Sequence, residues 1–334
     1  MTKFVVKVSQ GQNRTAGTKA KSDVVTFLNK LDYQTIDYHV LNNKYLRVLF
    51  SAWQWRKSLK SLKETDVIVY QYPAYSRFLG DRFIQEVKRR NAKAYIVLHD
   101  VNSLRMYKDS SANKKRELEF FEKFDGIVAH NDHMKKWLEE QGVRKPIVSL
   151  KVFDYIADYE IDDGKLTNTV AYTGNLEKSL FLKKLKINTS IKLYGIKPQL
   201  PYPNNIKYRG SFEADKLGQV VKEGFGLVWD GDSIDTCSGV LGEYLKFNNP
   251  HKTSFYLSKG MPIIIWDKAA LADFVNINKC GITVSSLKNL TKILDQLTEE
   301  EKVAIKKNSI RVGNLVRNGM FLKNALDQLN KSVK

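Results

Sequence analysis

Short apolar runs alternate along this chain with stretches whose apolar residues recur at helical spacing. Residues 5–8 read as a strand, and a polar loop with Gly11, Thr15 and Gly17 leads into a helix opened by Thr18, with Val24, Val25, Leu28 and Leu31 on one face. That loop either approaches a ligand or is a plain connection; it lacks the GxGxxG spacing of a dinucleotide fingerprint. The alternation continues with a strand at 35–40, a helix whose apolar stripe is Trp53, Trp55, Leu59 and Leu62, a strand at 66–70, a helix around 83–90 and a strand at 94–98. A further strand, 126–129, ends in His130 and Asn131 before a helix bearing Met134, Trp137 and Leu138. Strands separated by such helices predict a mostly parallel, doubly wound sheet. Ligand groups then belong just past the carboxyl ends of the strands, where Gln71, His99, Asp100 and His130 stand.

From Val152 the period is lost in the acidic run FDYIADYEIDDGKLTN, which reads as a domain connection. A second set of strands follows at 169–173, closed by Gly174 and Asn175, at 191–194, closed by Gly195, at 206–209, closed by Gly210, and at 225–229. The stretch FNNPHKTSFYLSKGMPIIIW then reads as helix, glycine stop and buried strand. Asn249 is the expected cap, Pro250 the first helical position, and Lys252, Thr253 and Ser254 the opening turn. A helix start with two hydroxyls and an ammonium suits a phosphate; its plain alternative is an ordinary helix with a solvated lysine. A helix at 269–275, a strand at 281–284 and a helical segment at 299–329 complete the pattern. The expected architecture is α/β, with two Rossmann-like domains at 1–152 and 153–310. A terminal helix at 311–334 is expected to pack on the first domain or on a neighbouring subunit.

Length and charge narrow the partners. With 334 residues, 43% of them hydrophobic, the chain can build two cores. No apolar run approaches the roughly 18 residues of a membrane span, and the start reads as a strand instead of a signal peptide, so a cytoplasmic location is expected. Cys237 and Cys280 have no ligand spacing, and no metal site is expected. The balance of 55 basic against 36 acidic residues, a formal +19, favours an anionic partner: nucleic acid, the inner membrane leaflet or a phosphorylated substrate. No helix-turn-helix, zinc or RNP-like signal accompanies it, so nucleic acid is not expected; a non-catalytic polyanion-binding protein is the rival from another class.

The runs YTGNLEKSLFL, LYG, YRGS, GFGLVWDGDS and NNPHKTSFYLSKGMPIIIWDKAALADFV, with VIVYQYP, LHDVNSLR and IVAHNDHMKKWL before them, span nearly the whole chain. In this order they resemble the bacterial family that includes galactofuranosyltransferase-like enzymes and the glucosyltransferases extending glycans on serine-rich repeat adhesins. The resemblance implies a GT-B glycosyltransferase, two Rossmann-like domains facing across a cleft, with a nucleotide-sugar donor held by the second domain and a glycan acceptor facing the first. Carried onto this sequence, it puts Asn249, Lys252, Thr253 and Ser254 at the donor diphosphate. Gly174, Asn175 and Lys178 approach it, and Tyr194, Ser211 and Phe212 lie where base and ribose belong; apart from the resemblance, Thr15 and Gly17 of the first loop are further donor-binding candidates. For Lys178 the alternative is a surface lysine, and for Tyr194 and Phe212 it is core packing. No cofactor is implied beyond the UDP-sugar substrate. A hexose such as glucose is the expected sugar, with galactofuranose as the alternative. The acceptor is a glycan on an adhesin or a lipid carrier; peripheral contact with an anionic membrane and homo-oligomerisation are further expectations.

Inverting sugar transfer needs a base beside the attacking hydroxyl, and a carboxylate at a strand end can serve. Asp100 is the first candidate and His99 the second, with Gln71 and Arg105 on the acceptor side; alternatively Asp100 tethers the loop that follows it. Asp230-Gly231-Asp232 has the DxD form that binds a divalent ion in another glycosyltransferase fold. Here it reads as a turn facing sugar hydroxyls.

Overall fold

The computed structural model describes residues 1–9, 16–106 and 110–333. Its first half contains β1 (Lys3–Ser9), α1 (Ala16–Asn29), β2 (Tyr33–His39), α2 (Lys44–Ser58), β3 (Val67–Tyr72), α3 (Arg77–Lys88), β4 (Lys93–Leu98), α4 (Asn102–Arg105), α5 (Ser111–Phe121), β5 (Gly126–Ala129), α6 (Asp132–Glu140) and β6 (Ile147–Ser149). The strands form one sheet in the order β2-β1-β3-β4-β5-β6, every pairing parallel. The order reverses between β1 and β3, so ligand groups should gather at the carboxyl ends of those two strands.

The sheet is buried on both faces, which is why β3 to β5 are nearly continuous apolar runs. Trp55 stacks on Tyr38 at 3.8 Å, packs edge-on against Phe83 and donates its indole N–H to the Leu79 carbonyl at 3.0 Å, which fixes α2 on α3 and β2. The apolar stripe expected for this helix needs correction: Trp55, Leu59 and Leu62 are buried, whereas Trp53 is 58% exposed. Two residues from Trp55, at about 100° per residue, Trp53 cannot share its face. Strand β6 and helix α5 were not expected from the pattern.

The second half contains β7 (Val170–Asn175), two 3-10 turns at Leu176–Lys178 and Leu180–Lys183, β8 (Ile191–Ile196), β9 (Ile206–Tyr208), α7 (Ala214–Val220), β10 (Phe225–Val228), α8 (Gly239–Tyr244), α9 (His251–Ser258), β11 (Ile263–Trp266), α10 (Ala270–Asn278), β12 (Gly281–Val284), α11 (Leu290–Gln296), α12 (Glu299–Arg317) and α13 (Met320–Ser332). Its sheet runs β12-β11-β10-β7-β8-β9, again all parallel. The chain leaves β7 for β8 and β9, then returns to the other side of β7 as β10, so this reversal lies between β7 and β10. At the end of β8, Gly195 accepts no side chain, because a Cβ there would lie 1.8 Å from the Gly174 carbonyl oxygen.

The chain divides into two compact units, Met1–Leu150 with Leu322 onward, and Lys151–Phe321. The division falls inside α13 instead of at the expected residue 311. Residues 311–317 finish α12, whose start is secured by a capping box between Thr298 and Glu301. Within the first unit Leu329 lies against Gly126, where a Cβ would meet its side chain at 2.7 Å, and the Lys93 ammonium donates to the Val333 carbonyl at 2.9 Å.

Candidate functional site

The strand reversal of the second unit is occupied by α9. From its first turn the Lys252 ammonium donates to Asp230 Oδ1 at 3.1 Å, to the Tyr172 hydroxyl at 3.1 Å and to the Trp229 carbonyl at 3.5 Å. It also stands 4.3 Å from the centre of the Tyr172 ring. Tyr172 belongs to β7, and Trp229 and Asp230 directly follow β10. One lysine therefore ties together the two strands between which the order reverses. Burial works against the ammonium, but the Asp230 carboxylate and the oxygens of Tyr172 and Tyr256 outweigh it and hold its pKa well above the ordinary lysine value.

The neighbouring residues are fixed from behind. The Tyr256 hydroxyl accepts from the Thr173 N–H at 2.9 Å and donates to the Ala171 carbonyl at 3.3 Å, pinning α9 to β7. Arg317 donates to the Ser258 carbonyl at 3.2 Å, meeting the negative end of the same helix. At the other end, Thr253 and Ser254 are buried, and their hydroxyl oxygens have no hydrogen-bond partner among the described residues. A buried hydroxyl left unpaired costs about 1–3 kcal/mol.

The expected cap of α9 is corrected. Pro250, with φ −61° and ψ 130°, is the capping residue and makes no side-chain cap bond; the helix begins at His251. Asn249 is buried, and its Nδ2 donates to the Lys151 carbonyl at 3.2 Å, anchoring the start of this unit. Gly174, one residue before the end of β7, has φ +138°, with open space where a Cβ would be. Asn175 Oδ1 accepts from the Glu177 N–H at 3.2 Å and so caps the first 3-10 turn, on which Lys178 is exposed.

Farther along the sheet, Tyr194 is only 4% exposed and its hydroxyl is committed to the buried Glu223 carboxylate at 3.1 Å. Burial and that carboxylate push the phenol far up, and the residue is part of the core. Phe212 lies 6.3 Å from it, half-exposed, with Ser211 exposed beside it. Asp232 accepts from the Ser238 hydroxyl, which holds its carboxyl below the usual range, and Asp230 belongs to Lys252; the two carboxylates thus serve separate partners.

In the first unit, His99 Nε2 meets Gln71 Oε1 at 2.9 Å, while Gln71 Nε2 donates to the Val6 carbonyl at 3.4 Å. With the amide nitrogen turned to β1, the amide oxygen faces the imidazole. Asp100 Oδ2 accepts from Arg105 Nη1 at 2.6 Å. Gln71, His99 and Asp100 lie at the carboxyl ends of β3 and β4, next to the reversal, and Arg105 reaches Asp100 from the end of α4. Gly17 lies in the first turn of α1, inside the helix instead of in the loop before it, and Thr15 lies outside the described residues.

Three contributors were missed in the sequence. Lys21, on α1, donates to the Pro73 carbonyl near Asp100; burial lowers its pKa and Asp100 raises it in part. Glu117, only 1% exposed, accepts from the N–H groups of Asn102 at 2.9 Å and Ser103 at 2.7 Å and from the Tyr72 hydroxyl at 2.6 Å, orienting α4 and thus Arg105. Tyr172 is the third; its place two residues before Gly174, level with the glycine-closed strand end, was the available signal.

The comparisons with known proteins cover both units. Residues 2–152 match the family described as glucosyltransferase 3-like, N-terminal domain, and residues 170–329 match its C-terminal domain. The chain belongs to the glucosyltransferase 3-like family. It is 33% identical over 334 residues to the beta-1,6-galactofuranosyltransferase WbbI of Escherichia coli K12, covering 96% of each chain. To glucosyltransferase 3 of Streptococcus gordonii it is 22% identical over 316 residues, covering 92% of each. Among solved structures, that of trehalose-6-phosphate from E. coli bound with UDP-2-fluoro glucose superposes with a TM-score of 0.60 at 12% identity, covering 98% of this chain and 99% of that one. The fold is GT-B, and the glucosyltransferase 3-like chain is a glycosyltransferase. No helix among the described residues is long and apolar enough to cross a membrane.

Proposed function

We propose that this glycosyltransferase moves a hexose from a UDP-sugar to a glycan acceptor, with α9 receiving the donor diphosphate. The observation that carries the reading is Lys252 at the β7–β10 reversal, one residue ahead of two buried hydroxyls that lack partners. Sugar transfer breaks the bond between the anomeric carbon and the diphosphate, and charge grows on the departing oxygens. A fixed ammonium, the positive end of a helix and two hydroxyl donors answer that charge without a metal. Gly174, having no side chain, leaves room for the phosphates, and Lys178 adds a cation at the rim. Asn249 and Asn175 act as positioning residues; Phe212 and Ser211 meet the nucleoside, with Tyr194 supporting Phe212 from the core.

On the acceptor side, Asp100 takes the proton of the attacking hydroxyl while its oxygen bonds to the anomeric carbon, and Arg105 orients the carboxylate. His99, held through Gln71, is the alternative base. The acceptor is a glycan on a protein such as a serine-rich adhesin or on a lipid carrier. The reading includes a cytoplasmic site of action, contact with an anionic leaflet, and self-association. Galactofuranose in place of glucose is the second reading, supported by the 33% identity to a galactofuranosyltransferase.

The test is a thermal-shift screen of UDP-sugars followed by donor hydrolysis with chelator present. Stabilisation by one UDP-sugar and hydrolysis that survives chelation support the reading. No stabilisation by any UDP-sugar, together with tight, salt-sensitive binding of RNA or DNA, overturns it in favour of a polyanion-binding protein.

A further inference from the structure

The surface that the transfer chemistry leaves unexplained is the outer side of α2. Tyr45 is 84% exposed, Leu49 71% and Trp53 58%, and Leu46, Val48 and Phe50 are exposed as well. At about 100° per residue, Tyr45, Leu46, Leu49, Phe50 and Trp53 share one half of the helix, opposite the buried Ser51, Trp55 and Leu59. Apolar side chains gathered this way on one exposed helix face mark an interaction surface.

The charges around this face identify its occupant. From Leu41 through Lys63 there are six basic and no acidic side chains. Arg56 is taken up by Glu86 at 3.6 Å, whereas Lys57 lies 5.3 Å from the Trp53 ring and Lys60 is exposed. Arg47 stacks on Tyr75 at 4.5 Å, which brings the exposed residues before α3 into the same surface, with Arg82 5.3 Å from the half-exposed Phe78. Aromatic and aliphatic side chains rimmed by lysine and arginine, with no acid among them on α2, match the acyl boundary and headgroups of an anionic bilayer. A second copy of the same face would bring like charges together, which disfavours self-association through it.

We infer that the outward face of α2 is a membrane-interface surface that seats the protein on anionic lipid, with Leu49 and Trp53 entering the acyl boundary and Lys57 and Lys60 meeting the headgroups. This deepens the leaflet contact of the proposed function but does not depend on the transfer reaction.

The full chain is sedimented with vesicles of phosphatidylcholine alone and of phosphatidylcholine with roughly one third phosphatidylglycerol, while UDP-sugar hydrolysis is followed in the same samples. Sedimentation with the anionic vesicles only, reduced at least tenfold in Leu49→Glu/Trp53→Glu with hydrolysis unchanged, is the expected result. Lys57→Glu/Lys60→Glu, which leaves the apolar residues in place, should show the same loss and keeps the test decisive if the first variant does not fold. Wild-type protein that stays in solution with anionic vesicles overturns the inference. So does a wild-type oligomer, seen by light scattering, that becomes monomeric in Leu49→Glu/Trp53→Glu without any vesicle binding, since the face would then be a self-interface. Because hydrolysis is read separately, failure of the lipid contact and failure of the glycosyltransferase reading give different results.

Discussion

Lys252 Nζ and Asp230 Oδ1 stand 3.1 Å apart, the ammonium on the first turn of α9 and the carboxylate just past β10. The pair does two things. It keeps the lysine charged against the opposing effect of burial, and it places that charge at the strand reversal where ligands of doubly wound sheets collect.

Removing the carboxylate should expose this dependence as a pH effect. A lysine whose pKa is raised on folding keeps the stability of its ion pair at every pH below its ordinary value of 10.5, and loses it only as pH climbs through the higher folded value. UDP affinity of the wild type should therefore be level from about pH 7 to about pH 10. In Asp230→Asn, burial is no longer opposed by a charge, and affinity should decline across the same range. A calorimetric titration at several pH values checks this; a wild type that already loses UDP affinity in that window would contradict it.

Asp100→Asn should leave UDP affinity as it is and lower kcat for transfer by about 10²–10⁴-fold, the usual contribution of a general base. Arg105→Ala should give a smaller loss, because the carboxylate loses its 2.6 Å partner. Steady-state transfer assays with a matched UDP titration separate chemistry from donor binding. Unchanged turnover in Asp100→Asn would transfer the role to His99.

Glu117→Ala should weaken the first unit without touching donor chemistry. The substitution strands two amides and a phenol in a buried place, at about 1–3 kcal/mol for each group that finds no water. Thermal unfolding should fall by several degrees while UDP affinity at α9 stays constant. Equal unfolding temperatures would mean that Glu117 does not hold α4.

Truncating the two tryptophans of α2 should have opposite consequences for stability. Trp55→Ala removes a fully buried indole stacked on Tyr38 and should cost about 3–5 kcal/mol, whereas Trp53→Ala should change stability by less than about 0.5 kcal/mol. Urea unfolding of the two variants decides it. Similar losses would contradict the burial described for this helix.

The same tryptophans show where sequence reading reaches its limit. Alternating apolar runs disclosed both parallel sheets, because buried parallel strands are apolar throughout and cannot be mistaken for surface. Period forbids Trp53 and Trp55 a common face but does not by itself say which of the two is buried; packing against Tyr38 and Phe83 decides it for Trp55. Lys252, Thr253 and Ser254 were legible as a helix start, and Gln71, His99 and Asp100 as strand ends. Asp230 was read as part of a turn and Tyr172 went unnoticed, because their meaning lies in a meeting of β7, β10 and α9 across long sequence separations. Asn249 followed the rule for caps, yet the helix starts one residue later, after Pro250, and the Asn249 amide donates to the Lys151 carbonyl.

The central claim, that the Lys252 end of α9 receives the diphosphate of the donor, is tested most directly by titrating UDP and uridine into wild type and Lys252→Met. Losing a charge-assisted contact should weaken UDP by about tenfold to a hundredfold while uridine binds both proteins alike. UDP binding to Lys252→Met with wild-type affinity would contradict the account.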